Sequence, residues 1–129
     1  MYRMLMTAVA ANGIVFGLAN LFVPDLLLSI LGGAVDALGR IIFQTLGGTI
    51  LGYGAVAWFV RELDEGPMLR GVIAGVTISF AAIAAVVGIA TASGLLNALA
   101  WAVVAIHAAV AIGLLVDLLR PAGPAVTTG

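Results

Sequence analysis

The chain contains no cysteine, which removes disulfide frameworks, thiolate zinc or iron–sulfur sites and Cys-x-x-Cys redox chemistry in one step. Charge is nearly as scarce: 9% of the 129 residues are Asp, Glu, Lys or Arg, against about 25% in an ordinary soluble domain. The basic residues are five scattered Arg and the net charge is -1, so no basic patch exists to neutralise a phosphate backbone and nucleic acid is excluded as a partner. No H-E-x-x-H, G-x-S-x-G or phosphate-cradling glycine loop occurs, and no catalytic residue is assigned. The single His cannot assemble a multi-ligand metal site or both axial ligands of a haem, so no metal or cofactor is expected. Lipid anchoring has no signal either, for want of a Cys and of a Gly at position 2. Proton-coupled exporters of this size need a carboxylate inside a span, and the first span has none before Asp25, which places a transporter third among the functional readings.

What is abundant is apolar side chain, at 64% of the chain. A helix needs about 20 apolar residues to cross roughly 30 Å of hydrocarbon at 1.5 Å per residue. Four such windows lie between charges and prolines, at about 4–23, 41–60, 71–92 and 95–119. Pro24, Arg40, Arg61, Arg70, the Ser93-Gly94 turn and Arg120-Pro121 punctuate them. None shows period-2 alternation, and an open sheet would leave unpaired edges in lipid. The first window is too long for a signal-peptide core and three more follow, so it reads as a retained span. The expected fold is all-α: a polytopic four-transmembrane-helix bundle over 1–120, surrounded by the lipid bilayer, with a disordered tail at 121–129.

Between the first two spans, Leu26-Leu27-Leu28-Ser29-Ile30-Leu31 is too short to cross. It reads as a short interfacial helix after Pro24, with a simple ordered loop as the alternative. Four Arg (3, 61, 70 and 120) fall on the side of the termini and one (Arg40) on the other. The positive-inside rule then puts both termini in the cytoplasm of a plasma-membrane protein. Tyr2 and Trp58 suit one aromatic belt and Trp101 the other.

Gly13-x-x-x-Gly17, Gly48-x-x-x-Gly52 and Gly71-x-x-x-Gly75 each put two glycines one turn apart on a helix face. Such pairs let backbones approach, within one bundle or across a dimer interface. Counting the rise from the cytoplasmic Arg of each span puts Asn12, Tyr53 and Ser79 near ~12–14 Å, Thr49 and His107 near ~18–20 Å, and Asn20 and Gln44 near ~25 Å. These depths suggest a polar seam inside the bundle, with the His107 ring facing the first two spans and not lipid. In that reading His107 is neutral, with Thr49, Asn12 or a backbone carbonyl on one ring nitrogen and the other left for a ligand such as a quinone. Arg40 and Gln44, one turn apart, form either a structural ion pair with Asp25 or Asp36, or an outward polar pocket with Arg40 as anion donor and Asn97 or Trp101 on its rim.

The run Gly17-x-x-x-x-Phe22-x-Pro24, Leu31-Gly32, Arg40, Gly47-Gly48, Leu51-Gly52-x-Gly54 and Ala57-Trp58 resembles the first half of small DoxX-like four-helix membrane proteins. The stretch Ser93-Gly94-Leu95-Leu96-Asn97-Ala98-Leu99-Ala100-Trp101 is similar to their segment before the last helix. The resemblance implies a four-helix bundle, and a loose group in which some proteins are membrane subunits of quinone-linked or redox-protective complexes.

The functional expectation is a non-catalytic membrane subunit or scaffold, held to copies of itself or to another membrane protein by helix packing. The alternative is a binder of a lipophilic small molecule, with His107, Asn12, Thr49, Tyr53, Gln44, Arg40 and Trp101 as candidate contacts. Topology is checked by single cysteines, since the chain has none of its own. Gly66→Cys should react with an impermeant thiol reagent only from the cytoplasmic side, and Ala37→Cys only from the outside.

Overall fold

A computed structural model of the chain describes residues 2–64 and 66–120. It is all-α: α1 (Tyr2–Phe22), α2 (Pro24–Ile30), α3 (Ala37–Val60), α4 (Pro67–Ala92) and α5 (Ala100–Leu118) follow one another, and no strand occurs among the described residues. The four long helices are each long and apolar enough to cross a membrane, and α2 is the short helix expected after the first span. The chain is therefore a multi-pass membrane protein in contact with lipid. The expected tail at 121–129 lies outside the described residues.

Local chemistry sets the helix ends. Pro24 has no N–H to continue α1, and it opens α2 at the first helical position, where that donor is not needed. Asp36 caps α3, its carboxylate accepting from the Gly39 N–H at 2.8 Å. The α3 helix thus begins four residues before the expected span and carries Arg40 inside its first turn. At the other ends of α2 and α4 the chain turns through Gly32 and Gly94, both at φ 80, a conformation open mainly to glycine. In each turn two N–H groups return to the last helical carbonyls: Gly32 to Ser29 and Gly33 to Leu28, Gly94 to Thr91 and Leu95 to Ala90. Residues 95–99 then form turns, so α5 starts at Ala100 and not at Leu95 as expected. The Leu99 N–H bonds the Asn97 side chain at 3.0 Å, a local alternative to a helical hydrogen bond.

The long helices pack as two antiparallel pairs, α1 with α3 and α4 with α5. In the first pair, backbone meets backbone. A Cβ on Gly13 would stand 2.6 Å from the Gly54 Cα, one on Gly17 2.7 Å from the Leu51 nitrogen, and one on Gly47 2.7 Å from the Leu21 nitrogen. The second pair meets through side chains, with Phe80 stacked on His107 and Gly88 beside Val104. The pairs join at the end where α1 begins and α5 finishes, the termini end. There Tyr2, Met6, Val9 and Ala10 of α1, Ala57 of α3, Leu69, Ile73, Val76 and Phe80 of α4, and Ala111 and Leu114 of α5 form one buried cluster. Tyr2 is buried in it, its hydroxyl donating to the Leu63 carbonyl, so it ties α1 to the α3–α4 turn instead of lying in an aromatic belt. Arg70 donates to the Leu118 carbonyl and ties α4 to the end of α5. At the opposite end Asn97 holds α2: its N–H bonds the Leu31 carbonyl at 2.9 Å and its side-chain amide the Ile30 carbonyl at 2.9 Å.

The glycines differ in cost. Gly17→Ala and Gly13→Ala force backbone atoms apart and should destabilise the protein by about 1–3 kcal/mol. Gly48→Ala meets nothing within 4 Å and should not destabilise it. Unfolding in mixed detergent micelles, followed by helical circular dichroism, separates the two groups.

Candidate functional site

Polar groups at membrane depth must find partners inside the protein, and most do so locally. Thr49 lies on the exposed face of α3 and donates to the Thr45 carbonyl one turn back at 3.2 Å. It is not the partner of His107. Asn12 is half-buried on α1 and makes no hydrogen bond with any described residue, so it does not partner His107 either. The Tyr53 hydroxyl is buried without a partner at hydrogen-bond distance. Its polar neighbour is Ser79 on α4, whose own hydroxyl donates to the Gly75 carbonyl at 3.0 Å. Of the seam expected from depth, Tyr53 and Ser79 come together, whereas Thr49 and Asn12 do not reach His107. Equal depth does not place two side chains on facing helix surfaces, and a serine or threonine on a helix has a carbonyl within reach at i−4 wherever it points.

Two of the expected contacts are tertiary. Gln44 donates to the Leu21 carbonyl at 3.1 Å, one of the last α1 carbonyls, which the helix itself leaves unsatisfied. Arg40 pairs with Asp25 at 2.6 Å, both side chains about half exposed (54% and 51%). With Asp36 engaged as the α3 cap, this is the plain ion pair, and it fastens α2 to the start of α3. Trp101 is 49% exposed at the same end. Trp58, at the other end, carries the Arg61 guanidinium over its ring, 3.1 Å from the centroid.

His107 is buried, at 7% exposure, and points into the bundle from α5 as expected. Of the expected partners it takes the backbone carbonyl, and the ring it meets belongs to the third span, α4, not to the first two. Nδ1 lies 2.8 Å from the Val103 carbonyl of its own helix, and the ring stacks on Phe80 of α4 at 4.9 Å and 29°. A carbonyl only accepts, so Nδ1 carries the hydrogen, and in the neutral ring Nε2 is a bare acceptor. No described residue donates to it. Asn20, which its depth puts in the polar seam but which is not among the candidate contacts, also has a polar atom that no described residue donates to. It is 5% exposed, its amide nitrogen bonds the Phe16 carbonyl at 2.8 Å, and its Oδ1 is buried with no partner. Its position on the Val9 face of α1, three turns on, was the available signal.

The glycine pairs divide as well. Gly13 and Gly17 are engaged inside the fold, whereas Gly48, Gly52, Gly71 and Gly75 have open space where a Cβ would stand. Gly47 and Gly54, which the four-residue spacing passes over, make the internal contact on α3. Beside Gly48 the exposed face of α3 bears a shallow hollow of about 320 Å³ lined by Ile41, Ile42, Thr45, Leu46 and Thr49. No group of three or more His, Cys, Asp or Glu able to hold a metal occurs among the described residues.

Set against models of protein families, curated proteins and solved structures, the chain matches none. The established description is a small polytopic membrane protein with four membrane-length helices.

Thr49 and Gln44 differ accordingly. Thr49→Val should leave stability within about 0.5 kcal/mol of the parent. Gln44→Leu should cost roughly 0.6–1.5 kcal/mol, since it removes an interhelical hydrogen bond and strands a terminal carbonyl. Equilibrium unfolding in micelles distinguishes them.

Proposed function

We propose that the chain is a non-catalytic membrane subunit or scaffold that binds transmembrane helices of another membrane protein, or of a second copy, through the outward faces of α3 and α4. The observation that carries this reading is the division of the glycines. In lipid no hydrophobic force drives helices together, and association rests on close van der Waals packing at small residues. The internal contact consumes Gly13, Gly17, Gly47 and Gly54, while Gly48 and Gly52 on α3 and Gly71 and Gly75 on α4 are left open. On α3 the open pair adjoins the hollow around Thr45 and Thr49, a concave strip able to receive a helix ridge.

The likeness to DoxX-like proteins points the same way. Of its residues, Gly17, Gly47 and Gly54 hold α1 against α3, Gly32 makes the turn after α2, and Arg40 anchors α2. Gly48 and Gly52 have no such internal duty. A subunit role accounts for them.

The test keeps the fold and blocks the faces. Gly48→Leu with Gly52→Leu, and separately Gly71→Leu with Gly75→Leu, should leave the thermal transition of the isolated protein in place. At least one pair should lower, tenfold or more, the protein recovered in a complex when native membranes are extracted in mild detergent and resolved by native mass spectrometry. Undiminished recovery with both pairs replaced would overturn the proposal.

A further inference from the structure

The two helix pairs are joined by different means at their two ends. On the termini side the buried apolar cluster draws side chains from all four long helices. On the α2 side, beyond the level of Phe80 and His107, the only buried apolar side chain that the long helices contribute among the described residues is Ala100. The helix sides that build the cluster carry polar residues there instead. Asn20 lies five turns beyond Tyr2 on the same side of α1, and Thr91 five turns beyond Ile73 on the same side of α4. Both are buried.

Hydrogen bonds between the pairs at this end come, among the described residues, from Asn97 alone. It lies in the turns between α4 and α5, and its N–H and side-chain amide reach the Leu31 and Ile30 carbonyls, each at 2.9 Å, where α2 ends. Both segments leave their helices through a glycine at φ 80, Gly32 on one side and Gly94 on the other. The tie therefore joins two turns and not two helix faces. The arrangement it closes also carries a cost. Asn20 sits in the last turn of α1, its amide nitrogen spent on the Phe16 carbonyl, and its Oδ1 is buried without a donor. An unpaired buried acceptor disfavours the state that buries it, and at the last turn of a span it is close to water if that state opens.

We infer that Asn97 is a latch: when it releases the end of α2, the α1·α3 and α4·α5 pairs part on the α2 side of the bilayer, each moving as a unit about the buried cluster at the termini end. The glycine seam, with Gly13 against Gly54 and Gly17 against Leu51, keeps α1 and α3 together through the motion, and the stack of Phe80 on His107 does the same for α4 and α5. Asn97 favours the closed state and the buried Oδ1 of Asn20 the open one, so the two side chains set the balance from opposite directions. The outward glycine faces of α3 and α4 each belong to one helix and are carried along unchanged, which makes the latch independent of the subunit reading.

The experiment uses the full chain in lipid nanodiscs and exploits its lack of cysteine. A buried thiol reacts only while the structure is open around it, so its rate of modification by a water-soluble maleimide follows the open population even when that is small. Thr91→Cys reports the α2 side and Ala57→Cys, inside the cluster, the termini side. Adding Asn97→Ala should speed the reaction of Thr91→Cys about threefold, the change in population that a hydrogen bond of the strength usual between membrane helices supports. Adding Asn20→Leu, which puts an apolar side chain in place of the unpaired acceptor, should slow it. Neither should alter the rate at Ala57→Cys. A Thr91→Cys rate that Asn97→Ala leaves unchanged, or an equal rise at Ala57→Cys, would overturn the latch. If Asn97→Ala fails to fold, Asn20→Leu decides alone: a Thr91→Cys rate that does not fall overturns it.

Discussion

Where α1 crosses α3 there is no room for side chains: Gly13 lies against Gly54, Gly17 against Leu51, and Gly47 against Leu21. Short-range dispersion falls steeply with separation, so removing four Cβ atoms from one seam gains contact along two helix backbones at once. The contact sets how close α1 and α3 come and turns Val9, Ala10 and Met6 toward α4 and α5, where they join the buried cluster. It also sets where Gln44 meets the last α1 carbonyls and where Asn20 is enclosed, beside the Gly47 backbone. The rest of the bundle is arranged around this pair.

The second pair is held to the first by a few ties placed at the ends. On the termini side Tyr2 bonds the Leu63 carbonyl above the apolar cluster. On the other side Asn97 bonds two carbonyls at the end of α2, with Gly32 leaving the space for its side chain. Both ties bring donors, the Tyr2 hydroxyl and the backbone N–H and side-chain amide of Asn97, to carbonyls at or beyond helix ends, and so they also remove polar atoms that lipid would penalise. Between them the pairs touch through side chains at one half and face each other without a buried apolar core at the other. This asymmetry puts Phe80 and His107 at the boundary of two environments.

The polar inventory follows one rule. Thr7, Thr45, Thr49, Thr77, Ser79 and Thr91 each donate to the carbonyl four residues back, and Asn20 and His107 do the same with a nitrogen. A side chain so occupied is tolerated on any helix face, which explains how threonine and serine sit on surfaces exposed to lipid. Hydroxyls that donate in this way retain weak acceptor capacity. Asn20 and His107 differ, because each has a second polar atom that the local bond cannot reach.

The sequence by itself determined the class of fold, the number of long helices and most of their ends. Those features rest on properties of a segment alone: a run of apolar residues must be helical in lipid, Pro24 cannot donate, and Ser93-Gly94 terminates a helix in any context. The pairing of Arg40 with an aspartate was legible too, since the partners lie close along the chain. Which glycines touch was not, because Gly47, Gly48, Gly52 and Gly54 differ only in the direction each faces, and that direction is settled by where α1 lies. The neighbours of His107 were hidden for the same reason: depth along an axis is additive in the sequence, whereas rotation about it depends on packing against the other three helices. Only the tertiary structure decided that Thr49 faces outward, that Phe80 meets the imidazole, and that the buried apolar core ends there.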